Sequence, residues 1–197
     1  MKEKEALEIA IGEISGKSFT DIAVRCGLAL GEHERVSVKY LGDEYVVSPE
    51  GSCVAAGGQA ATERTCIIIL HYLGSSSGKT PSGKLIDFRE VPGGNVYNPV
   101  FEKRVHGSFL GVFGSNASLF QQASGCLGGK PADFGDSSFR FSVLPRVPVW
   151  IVLHAGDAEF PPACKFLFDS TIREHLSTED IVTVCEDLVR KLKGSTK

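Results

Sequence analysis

The spacing of apolar residues changes several times along the chain, and each change marks an element. Leu7, Ala10, Ile11 and Ile14 fall at helical spacing. A second helix opens at Ser18, with Asp21 three residues on as a capping-box variant and Phe19, Ile22, Ala23 and Cys26 on one face. The period then drops to two. Val36, Val38 and Tyr40 alternate with Ser37 and Lys39, Gly42-Asp43 supplies turn chemistry, and Tyr45 and Val47 follow, which predicts a β-hairpin over 36–47. Residues 62–73 contain the β-branched run Ile67-Ile68-Ile69, yet their length favours a buried helix.

Residues 85–90 read as a strand stopped by Pro92-Gly93-Gly94. Asn98-Pro99 then has the chemistry of a helix N-cap and first turn, continued by Phe101, Val105, Phe109 and Val112. A further helix over 118–127 is closed by Gly128-Gly129. Phe139, Phe141 and Val143 alternate with Arg140 and Ser142, the pattern of a strand with one wet face. After the turn at 144–148, residues 149–153 are apolar on both faces, as in a central strand, and the two strands are expected to pair. The clearest helix starts at Ser177 with Asp180 three residues on; Ile181, Val184, Cys185, Leu188 and Leu192 form the face expected to pack on the sheet. Pro and Gly are spread as turn punctuation without a repeat or linker. The reading is one α+β domain over residues 1–197, a mainly antiparallel sheet packed by several helices.

Composition narrows the functional classes. Hydrophobic residues make up 42% and charged residues 23% of the 197, ordinary values for a folded domain. A net charge of -3 supplies no basic field, so nucleic acid is not an expected partner. Residues 1–14 lack the apolar core of a signal peptide, and the longest apolar run, 66–70, is too short to cross a bilayer. A cytoplasmic address with no membrane partner is expected. The six cysteines are scattered, without a C-x-x-C, and are read as free thiols.

Several segments occur in an order that resembles a known family. They are Leu70-His71-Tyr72-Leu73, Phe88-Arg89-Glu90 with Pro92-Gly93-Gly94, Arg140-Phe141 with Leu144-Pro145-Arg146-Val147-Pro148, Gly156-Asp157-Ala158-Glu159-Phe160-Pro161-Pro162, Leu167-Phe168-Asp169 and Thr178-Glu179-Asp180. Together they look like a family of uncharacterised proteins, a domain of unknown function of anaerobic bacteria and archaea. The resemblance implies no reaction and no catalytic residue. Some relatives are joined to an iron–sulfur domain, which implies an iron–sulfur protein as a partner in trans. Cys53 and Cys66, the closest cysteines, have 12 residues between them, so no intrinsic cluster is expected.

Gly74-Ser75-Ser76-Ser77-Gly78-Lys79-Thr80 approaches a P-loop but has one residue too few between its glycines. Pro81-Ser82-Gly83 also breaks the helix that the Lys should open, and a flexible loop is expected instead. The strongest site candidate is the 156–162 loop, which follows the expected central strand. His154, Asp157 and Glu159 can share a metal ion or supply a general base, and Arg89 and Arg140 can grip a carboxylate or phosphate. The competing reading makes Gly156-Asp157 a turn, Glu159 the cap of a helix after Pro162, and the arginines structural partners of Asp157, Glu159 or Asp169. No histidine has a recognised metal-ligand spacing, so no metal ligand is assigned. The expected function is that of a small-molecule-binding or accessory domain holding its ligand or partner protein near the 156–162 loop. The alternative is a metal-dependent or acid/base hydrolase centred on His154, Asp157 and Glu159.

Overall fold

A computed structural model describes residues 2–156 and 159–196. It is an α+β fold, as the pattern of periods predicts, with two antiparallel sheets where one was expected. Contacts divide the chain into two compact units, each discontinuous in sequence. One comprises Met1–Thr80, Leu144–Arg146 and Glu174–Leu176; the other comprises Pro81–Val143, Val147–Arg173 and Ser177–Lys197.

The first unit holds α1 (Lys2–Ile14) and α2 (Phe19–Cys26), then the strands β1 (Val36–Tyr40), β2 (Asp43–Val47) and β3 (Cys53–Ala55), and α3 (Glu63–Ser75). The expected capping holds at α2, where the Ser18 hydroxyl accepts from the Asp21 N–H, and Thr62 caps α3 through the Thr65 N–H. The ambiguous run at 62–73 is therefore helical, with Ile68, Ile69 and Leu70 buried. The hairpin forms over the predicted residues, with Val36 opposite Val47 and Tyr40 opposite Asp43, but it turns at Leu41-Gly42, both at positive φ, one residue before the expected Gly42-Asp43, and β3 extends it as a third strand on β2. One sheet face, with Val36, Val38, Val47 and Cys53, is buried, and α1 packs along α3.

The second unit holds β4 (Leu85–Asp87), α4 (Gly94–Phe101), α5 (Gly107–Phe113), α6 (Ala117–Cys126), β5 (Lys130–Pro131), β6 (Ser137–Leu144), β7 (Val147–His154), β8 (Ala163–Asp169) and α7 (Thr178–Gly194). The sheet order is β4-β8-β7-β6-β5, which puts β7 at the centre and beside β6, as its unbroken apolar run implies. Three local readings change. The segment after Pro162 is a strand, not a helix, with Cys164, Phe166 and Phe168 buried on alternate positions. The helix at 94 starts before Asn98-Pro99, because Gly93 in the left-handed region (φ 75) turns the chain into it, and Pro99 sits inside. A π-helical segment, Glu102–His106, then joins α4 to α5. The main neighbours of α7 are α4, α5, α6 and this π-helical segment.

Phenylalanine rings fill the space between helices and sheet in this unit. Phe101 stacks on Phe88 at 4.1 Å and meets Phe166 and Phe168 edge-on, while Phe109 meets Phe120 and Phe166 edge-on.

Asp169, at the end of β8, is buried and accepts from the Ser82, Gly83 and Thr171 N–H groups and from the Ser82 and Thr171 hydroxyls. No arginine is needed to hold it. Burial pushes its carboxyl up, but these donors outweigh burial and bring it from 3.8 down to about 2. A depressed carboxyl stabilises the fold above its unfolded value and loses that contribution as pH falls through the folded one, here between about 4 and about 2. Asp169→Asn is expected to cost roughly 2 kcal/mol at neutral pH and far less at pH ~2, as read from urea unfolding at both pH values. An equal cost at both pH values would contradict this role.

Candidate functional site

The five residues singled out from sequence occupy different settings. Arg89 lies in the short helical turn after β4, exposed, with its guanidinium on Asp87 at 3.2 Å. Arg140 lies on β6, half-buried, 5.5 Å from the centre of the Trp150 ring. Since β8 and β7 stand between β4 and β6, the two strands are roughly 14 Å apart across the sheet. His154 is the exposed last residue of β7, paired with Ala163 across the sheet, and Glu159 is exposed in the connection between them. Asp157 lies outside the described residues. The Ala155 N–H donates to the Asp136 carboxylate at 2.8 Å, which ties the start of this connection to the 132–136 loop. Among the described residues, no group of three or more His, Cys, Asp and Glu is placed to hold a metal ion.

The near-miss P-loop is held on several sides, in contrast to the flexible loop expected. Arg146, itself in the left-handed region (φ 63), donates to the Arg25 carbonyl at 2.6 Å and to the Gly78 carbonyl. The Ser77 N–H donates to the Glu174 carbonyl and Lys79 pairs with the Glu174 carboxylate. Ser76 and His175 share a 2.8 Å hydrogen bond, but both are fully buried, so this pair ties the loop down and no substrate reaches it. The Lys79 ammonium, which a P-loop would turn to phosphate, is engaged by a carboxylate.

A concave surface of the first unit lies on the outer face of its sheet, away from the buried valines. A groove of about 510 Å³ is lined by Arg35, Val46, Ser48, Glu50, Ser52 and Val54 among others. Strand alternation explains the composition. Val46 and Val54 are cross-strand partners and point away from the core, whereas their neighbours Val47 and Cys53 point into it. The tight turn between β2 and β3, closed by the Gly51 N–H to Ser48 carbonyl bond, brings the Ser48, Glu50 and Ser52 polar groups to one rim.

Arg35 stands at the junction of this groove with a second cavity of about 370 Å³, which it also lines together with Val46. Its position is set by unusual backbone. His33 and Glu34 both adopt left-handed φ values (54 and 56), each costing about 1 kcal/mol for a side-chain-bearing residue. The Gly31 N–H to Arg35 carbonyl bond (2.7 Å) and the Arg35 N–H to Glu32 carbonyl bond (3.2 Å) close the turn. Glu50 is held below the usual carboxylate range by the Ser48 hydroxyl, by a backbone N–H and by the Arg35 charge, so it is anionic at neutral pH. The rim thus offers one cation, one anion and two hydroxyls around an apolar floor. Sequence reading missed this site: Arg35 and Glu50 meet only through strand pairing, and nothing marks His33 and Glu34 as left-handed.

The model of one family matches residues 18–191, nearly the whole described chain. The chain belongs to the domain of unknown function DUF3786. No curated protein and no solved structure matches it. The match takes in both units, so this family's domain includes the groove sheet as well as the phenylalanine-filled layer. No helix among the described residues is long and apolar enough to cross a membrane.

Proposed function

We propose that this DUF3786 chain is a small-molecule-binding domain whose ligand sits in the groove on the outer face of the three-stranded sheet. The reading rests on one observation: a groove of about 510 Å³ carries Arg35 and an ionised Glu50 on its rim above the apolar pair Val46 and Val54. That volume suits a small ligand rather than a chain segment. Opposite charges beside an apolar floor suit a zwitterion with an aliphatic body, in the manner of an apolar amino acid: Arg35 takes the carboxylate, Glu50 the ammonium, and the valines the side chain. The strained turn before Arg35 supports the reading, because strain of this kind is retained where it presets a side chain.

The probe is L-leucine, titrated into the labelled chain and followed by NMR. Arg35→Ala is expected to weaken binding about tenfold, the loss of one charge-assisted hydrogen bond of about 1.4 kcal/mol. N-acetylleucine, which lacks the ammonium, and leucinamide, which lacks the carboxylate, are each expected to bind more weakly than leucine. Equal affinity of the parent and Arg35→Ala would refute the assignment.

A further inference from the structure

Two cavities share a floor on the outer face of the three-stranded sheet. Ser37 is the cross-strand partner of Val46, and Val46 of Val54, so the three form one outward row across β1, β2 and β3. The groove takes in Val46 and Val54, and the cavity of about 370 Å³ takes in Ser37 and Val46, so Val46 is common to both and Arg35 lines both. The far wall of the smaller cavity is the segment before β1. It is held beside that strand by the bridge of Leu30 to Val36 and by the Gly31 N–H to Arg35 carbonyl bond. This wall leaves an aliphatic side chain in water: Leu30 is 43% exposed, with Ala29 exposed beside it.

We infer that the ligand is a free dipeptide of two apolar residues lying across the strands, with one side chain in each cavity. The inference rests on the reading of the groove as a zwitterion site and names the zwitterion. Length decides between one residue and two. Strands stand about 4.8 Å apart, so the row from Val54 to Ser37 covers about 10 Å, and the Leu30 wall lies beyond β1. One residue reaches about 3.5 Å along the backbone and two about 7 Å, to which a side chain adds at each end. A single amino acid seated over Val54 therefore leaves Leu30 uncovered. Successive side chains of an extended chain point opposite ways, so a dipeptide with its peptide bond above Val46 sends one side chain toward Val54 and the other toward Leu30.

The charges fit the same placement. The N-terminal ammonium goes to Glu50, which lines the groove alone, and the C-terminal carboxylate to Arg35, which stands where the two cavities meet. Glu32 lines the smaller cavity, so a carboxylate is disfavoured deeper inside it and only the side chain of the C-terminal residue enters. Covering Ala29 and Leu30 with that side chain strengthens binding about tenfold over a dipeptide that ends in glycine.

The test titrates L-leucyl-L-leucine, L-leucyl-glycine and L-leucine into the labelled full chain and follows backbone amides by NMR. Leucyl-leucine is expected to bind about tenfold more tightly than leucyl-glycine and to shift residues 29–33 together with the groove residues, whereas leucine shifts the groove alone. Leu30→Ala, a change on an exposed segment, is expected to narrow the gap between the two dipeptides to about threefold. If leucine shifts the groove but leucyl-leucine binds no more tightly than leucyl-glycine, or leaves residues 29–33 unmoved, the inference is overturned while the reading of the groove stands. No saturable shift with any of the three ligands would overturn both.

Discussion

Phe101→Ala is expected to cost about 4 kcal/mol in unfolding free energy, the largest loss among the substitutions considered. Phe101 is 1% exposed and sits at the hub of a ring cluster, stacked on Phe88 and edge-on to Phe166, Phe168 and His106. Removing the ring forfeits its transfer free energy and leaves a cavity lined by residues from the turn after β4, from β8 and from the π-helical segment, none of which can move without breaking strand pairing or helix contacts. Phe101→Leu keeps much of the volume and should cost less than half as much. Urea denaturation of the parent and both variants checks this. A loss under about 1 kcal/mol for Phe101→Ala would mean that the ring cluster is not the core of its unit.

Gly94→Ala is expected to be the next most damaging change, at about 3 kcal/mol, although alanine is the better helix former. A Cβ at this position would stand 1.9 Å from the Phe88 carbonyl oxygen and 3.0 Å from its carbon. Both atoms are backbone, so no side chain can swing aside. The Phe88 carbonyl is already fixed by the Val91 N–H at 3.1 Å, in a turn whose capping box joins Asp87 and Glu90. Gly125→Ala is the control, because it is helical and a Cβ there meets nothing within 4 Å. It should be neutral or slightly stabilising. Similar unfolding midpoints for the two variants would contradict the close approach at Gly94.

The way these positions escape or yield to sequence reading is itself informative. Gly93-Gly94 reads as the end of a strand, and Asn98-Pro99 as a helix start, because local chemistry cannot show that Gly94 is pressed against Phe88. Elements set by their own residues were legible: the Ser18 and Ser177 caps, the 36–47 hairpin and the strand carrying the apolar run 149–153 all form where the spacing places them. The strand β8 was also legible in principle. Its buried Cys164, Phe166 and Phe168 alternate with exposed Ala163 and Lys165, but the preceding Pro161-Pro162 reads as a helix start. The candidate site was hidden for a different reason. Arg35, Glu50 and the outward valines gain meaning only from strand register, which puts residues from two turns on one rim.

The central claim is that the ligand lies on the outer face of the three-stranded sheet, and mapping backbone amide shifts during the leucine titration tests it most directly. The account predicts saturable shifts centred on Arg35, Val46, Ser48 and residues 50–56, with those around Arg140, His154 and the 156–162 loop unmoved. Shifts centred on that loop, or no saturable shift anywhere, would contradict it.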